Sequence, residues 1–198
     1  MSNQLRPDLA AIADHVAPGS RVLDIGCGDG GLMGVLEADK QCDVRGIEID
    51  AGLVERCVAR GLSVVQGDAN TDLSDYPDKA FDFAVLSQTL QTATRPDLML
   101  DELLRVADKA FVSFPNFAHW RTRSALMFGG KMPVTRALPV SWYATENIHH
   151  VTVEDFRDLA GEKGARIERQ WFFANERAIG SLEANWRAEF AVFELSRK

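Results

Sequence analysis

Val22-Leu23-Asp24-Ile25-Gly26-Cys27-Gly28-Asp29-Gly30-Gly31 is the stretch whose reading decides the fold. An apolar run of strand character passes straight into a glycine cluster, and a helical pattern follows from about Leu32 to Ala38. Glycines at such a junction let the chain turn tightly and let a ligand approach the main chain closely. In an open α/β sheet the junction lies at the carboxyl edge of a strand, where ligands bind.

Outward from it the same alternation repeats. Leu9 to Val16 reads as a short leading helix ended by Pro18-Gly19. Val44 to Ile49 and Leu62 to Val65 read as strands around a helix from Leu53 to Ala59, which Gly61 closes. Phe81 to Leu86 is a buried fourth strand with hardly any polar interruption. Pro96 opens a helix to about Val106, with Leu98, Leu103 and Val106 as its apolar face, and Ala110 to Phe114 is a fifth strand stopped by Pro115. Asn116 to Ile148 is irregular. Thr152 then caps a helix, with Asp155 three residues on, that ends near Gly161 to Gly164. Arg166 to Phe173 and Glu189 to Leu195 are two long strands expected to pair antiparallel at the sheet's edge. The alternation predicts an α/β, Rossmann-like, doubly wound, mostly parallel sheet. With 198 residues and no linker, residues 1–198 are expected to form one domain.

Composition narrows the function classes. No apolar run approaches the ~20 residues of a membrane span, and the polar start leads into no signal-like stretch. Cys27, Cys42 and Cys57 are odd in number and form no CxxC pair, which disfavours disulfides and a metal site and fits the reducing cytoplasm. A net charge of −7 argues against nucleic acid as a partner.

Gly26, Gly28 and Gly31 satisfy GxGxxG, a weak dinucleotide signal by itself. Asp24 and Asp29 would repel a pyrophosphate, whereas the cationic sulfonium and ammonium of S-adenosylmethionine (or the ammonium of S-adenosylhomocysteine) suit them. Asp24, just before the loop, is placed for the ligand's ammonium or its water shell. Glu48, at the end of the second strand, falls where a carboxylate bonds both ribose hydroxyls. Asp68, after the third strand, is placed for the adenine amino group. Each acid alone reads as a turn residue or helix cap; together they point to a cofactor. Cys27, Gly30, Ile49, Ala69 and Ser87 flank them and complete the expected cofactor-binding set with Gly26 and Gly28.

These segments, in order, with Phe81-Asp82-Phe83-Ala84-Val85-Leu86, resemble the motifs of class I methyltransferases. The resemblance implies a seven-stranded sheet whose last strand is antiparallel. Leu86-Ser87-Gln88-Thr89-Leu90-Gln91, Val112-Ser113-Phe114-Pro115-Asn116-Phe117, His119-Trp120-Arg121, Asn147-Ile148-His149 and Thr152-Val153-Glu154-Asp155-Phe156 are similar to a narrower group, the methionine-biosynthesis MetW family. That likeness spans about residues 15–195. It implies a protein that supports or activates homoserine O-acyltransferase (MetX), with no known methyl acceptor. One departure is His150, which follows His149 where an apolar residue is expected.

Methyl transfer needs an aligned acceptor and often a base. Ser87-Gln88-Thr89-Leu90 stands where amide- and DNA-base methyltransferases carry Asn/Asp-Pro-Pro-Tyr/Phe, which argues against those substrates. His149 and His150 are weak candidates for a catalytic base, since a helix N-terminus favours a neutral ring; His119 is a further histidine of the same region. Asn116 either orients a substrate or ends its strand. Arg121, Arg123, Lys131 and Arg136 lie in a segment with no acid between Asn116 and Ala144, interleaved with Trp120, Phe128, Trp142 and Tyr143. This basic, aromatic lid at about 117–148 has the composition of a protein interface. Two functional readings stay open: a ligand-sensing partner of homoserine O-acyltransferase, and a methyltransferase acting on a small molecule. A nicotinamide-dependent enzyme is disfavoured by the loop acids.

Overall fold

The computed structural model describes residues 5–197; the polar start at 1–4 and residue 198 lie outside the described residues. Eight strands form one sheet in the order β3-β2-β1-β4-β5-β8-β6-β7. β1 (Arg21–Ile25), β2 (Asp43–Glu48), β3 (Ser63–Gln66), β4 (Phe81–Ser87) and β5 (Ala107–Pro115) pair in parallel. β8 (Phe190–Arg197) runs antiparallel between β5 and β6 (Ala165–Ala174). Strand order reverses between β1 and β4, so the crevice opens at the ends of those strands, beside the glycine loop.

Two sequence expectations change. The two long strands do pair antiparallel, but β8 is interior, and an eighth strand, β7 (Arg177–Ile179), turns back on β6 to form the edge. Its three residues are too short to give a period of their own. On α5 (Pro96–Val106) the buried side is Met99, Leu100, Leu103, Leu104 and Val106, while Leu98 stands half exposed. Leu98 precedes the first buried position and points off the apolar stripe.

The helices begin where their caps dictate. Asp50 accepts the Leu53 amide at 2.9 Å to start α3 (Ala51–Ala59). Thr152 accepts the Asp155 amide at 3.1 Å and donates to its carboxylate at 2.6 Å, starting α7 (Val153–Glu162). α1 (Pro7–His15), α2 (Gly31–Lys40) and α3 cover one face, where Phe83 stacks on Phe111 and Met33 and Leu36 are fully buried. α5 and α7 cover the other, where Phe114, Phe156 and Phe193 form a ring cluster with centroids 4.7–5.8 Å apart. Both faces are closed by buried apolar side chains, which anchor the strands.

Between β5 and α7 the chain is not wholly irregular. A short helix α6 (Trp120–Ser124) runs into a π-helical turn, Ala125–Gly129. His150 fills its unexpected place by packing edge-on against Phe117, with ring centroids 4.4 Å apart.

Candidate functional site

The carboxyl edge of β1, β2 and β4 carries two adjoining cavities of about 540 and 430 Å³. Gly26, Gln88 and Thr89 line both and form the divide. The larger holds Glu48, Ile49, Asp68 and Ala69; the smaller holds Asp24, Cys27, Gly28, Asp29 and Ser87. Nine of the ten expected cofactor-binding residues therefore converge on one crevice.

The tenth, Gly30, does not reach it. Its φ is +73° as it enters α2, and a Cβ there would run into the Leu62 side chain, so this glycine serves packing. Gly26 combines both roles. Its φ is +69°, and a Cβ would collide with the Thr89 hydroxyl that lines the crevice.

Glu48 is buried, and its carboxylate is already oriented. One oxygen accepts the Gly28 amide at 2.8 Å and the other the Asp50 amide at 3.0 Å. Glu48 thus ties the glycine loop to the tip of β2. The Cys57 thiol on α3 adds a bond to the Gly28 carbonyl at 3.2 Å. Asp68 caps α4 (Ala69–Asp72), accepting the Asn70 amide at 2.9 Å and its side-chain nitrogen at 2.7 Å. Asp24 is 3% exposed, and burial, then the charge of Glu48, push its carboxyl up to about 7, with Arg6 opposing. A buried acid beside another acid is a place where a cation is favoured. Burial, then Asp24, raises the Cys27 thiol well above its usual range, so it is no nucleophile at neutral pH.

Arg6 is a site residue the sequence did not mark. It lines the Asp24 cavity and donates to Ser87 Oγ at 3.1 Å, across 81 residues. Below it Asp8, 4% exposed, collects bonds from Ser113 Oγ (3.2 Å), Ser87 Oγ (3.4 Å) and Gln88 Nε2 (3.3 Å) and an ion pair from Arg6. Gln88, in the divide, holds φ at +53° although it is not glycine, a strained backbone at the junction of the two cavities. No spacing in the sequence brings positions 6, 8, 88 and 113 together; the sheet does.

His149 and His150 lie apart from this set. They border a groove over α7 with Leu90, Pro96 and Phe156, and neither lines the two cavities. His119 is 7% exposed, its Nδ1 accepts the Arg121 amide at 3.3 Å, and burial makes it harder to protonate. Asn116 ends its strand: its side chain bonds the carbonyls of Ala184, Asn185 and Ala188 at 2.9–3.4 Å. Among the described residues no group of His, Cys, Asp and Glu is arranged to hold a metal ion, and no helix is long and apolar enough to cross a membrane.

The methionine biosynthesis protein MetW family matches residues 6–195, a span that takes in the crevice, the lid and the last strands. The chain belongs to that family. A curated MetW relative, the bifunctional methionine biosynthesis protein MetXA/MetW of Rhodopirellula baltica, is 29% identical over 98% of this chain and 33% of its own length. The chain spans 24–39% of the lengths of the curated relatives it matches. Among solved structures, a SAM-dependent methyltransferase from Archaeoglobus fulgidus shares the fold at TM-score 0.75 and 17% identity, over 100% of this chain and 95% of that one. The [4+2]-cyclase SpnF shares it at TM-score 0.68 and 18% identity, over 96% and 80%. These likenesses place the chain in the class I methyltransferase fold, which serves more than one chemistry.

Proposed function

We infer that this MetW-family protein binds S-adenosylmethionine and, as a partner of homoserine O-acyltransferase, supports that enzyme at the start of methionine synthesis. The observation that carries the ligand is the row of carboxylates Asp24, Glu48 and Asp68 around one crevice. Glu48 takes the ribose hydroxyls, Asp68 the adenine amino group, and Asp24 and Arg6 the ammonium and carboxylate of the methionyl end. When bound, the ligand brings a methyl group on a sulfonium; the chain's own part is to bind and orient it.

The partner rests on the relative whose name joins MetXA and MetW in one chain. Two proteins joined in one chain in one organism are candidates to touch each other. The lid supplies the surface. Met127 and Phe128 on the π-helical turn are 79% and 83% exposed, and Trp142 and Tyr143, further along the lid, are exposed as well. Large apolar side chains left exposed along one segment suit an interaction site. Arg123 belongs to the fold instead: it bonds the Ala118 carbonyl at 2.5 Å and stacks on Trp186, so reversing its charge would disturb packing as well as docking. Three buried free thiols suit the reducing cytoplasm in which such a partnership would operate.

The test is the rate of homoserine O-acyltransferase with and without this protein, at several S-adenosylmethionine concentrations, beside a direct titration of the ligand. A raised rate that depends on the ligand is expected. An unchanged rate at saturating protein removes the partner and leaves the second reading, methyl transfer to a small molecule, which the completeness of the carboxylate set favours.

A further inference from the structure

Beside the Asp24 cavity, across Arg6 and Gln88, lies a smaller pocket of about 180 Å³ that the expected function does not use. Four distant parts of the chain build it: the start of α1, Gln88 after β4, Arg136 of the lid, and the facing ends of β6 and β8. Its volume is below the ~300 Å³ of ordinary ligand pockets, which limits an occupant to the size of an amino acid.

The lining is divided by chemistry. Phe173, Phe190 and Pro7 make an apolar wall. Glu189 is 5% exposed; one of its oxygens accepts the Asn175 amide at 2.9 Å, and the carboxylate borders the pocket. Arg136 and Glu176 form an exposed ion pair at its mouth. Exposed pairs contribute little, so both partners are free to turn to a ligand. Asp8 is not available, since Arg6, Ser87, Gln88 and Ser113 already occupy it.

Backbone strain points to the same place. Asn175 and Glu176, the two-residue turn between β6 and β7, both hold positive φ, +48° and +63°. Asparagine suits the first place in such a turn, but the second is the one that glycine ordinarily fills. A glutamate there is strained, and its carboxylate borders the pocket. Gln88, the other strained residue in the lining, separates this pocket from the cofactor crevice.

We propose that this pocket binds the zwitterion of an α-amino acid with a small apolar side chain: Glu189 and Glu176 receive the ammonium, Arg136 the carboxylate, and Phe173 and Phe190 the side chain. That the amino acid lies next to a bound nucleoside ligand rests on the reading of the crevice given above. Because Arg6 and Gln88 border both sites, each ligand changes the other's affinity by the same factor.

The probe is L-norleucine, titrated by calorimetry into the protein saturated with S-adenosylhomocysteine, beside pentylamine and hexanoate, which each keep one charge. Norleucine should bind, and each single-charge analogue should bind about tenfold more weakly or worse. Glu189→Gln retains an oxygen for the Asn175 amide, and Arg136→Ala removes an exposed side chain, so both variants should fold. Each should weaken norleucine about tenfold while leaving S-adenosylhomocysteine within about twofold. No norleucine binding, displacement of norleucine by S-adenosylhomocysteine, or unchanged affinity in both variants overturns the proposal. Failure of S-adenosylhomocysteine to bind the unaltered protein overturns the cofactor reading instead; norleucine alone against Glu189→Gln then still decides the pocket.

Discussion

At the tips of β1, β2 and β3 the acids that face the crevice each sit within a few residues of a strand end, and Glu48 and Asp68 already hold backbone amides. Beyond β5 the surface is assembled differently. The lid turns Met127, Phe128, Trp142 and Tyr143 outward, and the neighbouring pocket is assembled from four distant parts of the chain. A site built from strand ends inherits the rigidity of the sheet and stands ready before any ligand arrives. A surface built from a lid carries apolar area that only a partner can cover. The proposed functions divide in the same way, the strand-end crevice for a small molecule and the exposed lid for a macromolecule.

The contrast is sharpest in what mutation should separate. Glu48→Ala removes two ribose bonds and releases the Gly28 amide, so S-adenosylmethionine affinity should fall about a hundredfold or more by titration calorimetry. Acyltransferase binding without the ligand should not change. A smaller effect, on the partner and not on the ligand, is expected of Phe128→Asp combined with Met127→Asp. Both side chains are exposed, so melting temperature and ligand affinity should stay put, while a pull-down or calorimetric titration with homoserine O-acyltransferase weakens about thirtyfold. If the double variant binds the enzyme normally, the lid is not the docking surface.

The effect of pH comes next in size. Asp24 has its carboxyl lifted to about 7 by burial and then by Glu48, and a proton there competes with the cationic ligand. Affinity should fall about tenfold for each pH unit below 7 and level off above it. Asp24→Asn should flatten that profile. The sign for folding is the reverse of an ion-paired acid. Its pKa in the fold lies above the ordinary value of 3.8, so ionisation between about pH 4 and 7 costs stability. The asparagine variant without ligand should therefore be more stable than the original at pH 8 by about 1–3 kcal/mol, and about equal at pH 4. A flat affinity profile in the unaltered protein would separate Asp24 from the ligand. Smallest of all, Leu98→Gln should change unfolding free energy by under about 0.5 kcal/mol, because that side chain is half exposed on α5.

The same division explains what could be read from the residues beforehand. β1 to β5 and the helices between them follow local signals: apolar runs of strand length, Asp50 and Thr152 as caps, Pro96 at a helix start. Asp24, Glu48 and Asp68 share that advantage, because each is fixed by its own strand. β7 has no signature because three residues carry no periodicity, and the interior place of β8 is illegible locally because pairing order is a property of the whole sheet. Leu98 was assigned inward because one hydrophobic residue at the start of a helix does not define the stripe. Arg6, Asp8 and Ser113 carry no mark in the sequence; only long-range packing brings them to Gln88.

One short connection joins the two regions. The carbonyl of Gln91 accepts the amides of both Ile148 and His149, at 2.9 and 3.0 Å, so the end of the lid hangs from the segment that begins with Gln88 and Thr89. Two such bonds together contribute about 2 kcal/mol of stability, little enough for a docked protein to offset and enough to favour the fastened arrangement at rest. Were a docking partner to unfasten this latch on the outer side, the wall of the crevice on the inner side would lose that support. Faster hydrogen exchange at the Ile148 and His149 amides on acyltransferase binding is the expected trace, and unaltered exchange there would mean that the latch stays shut.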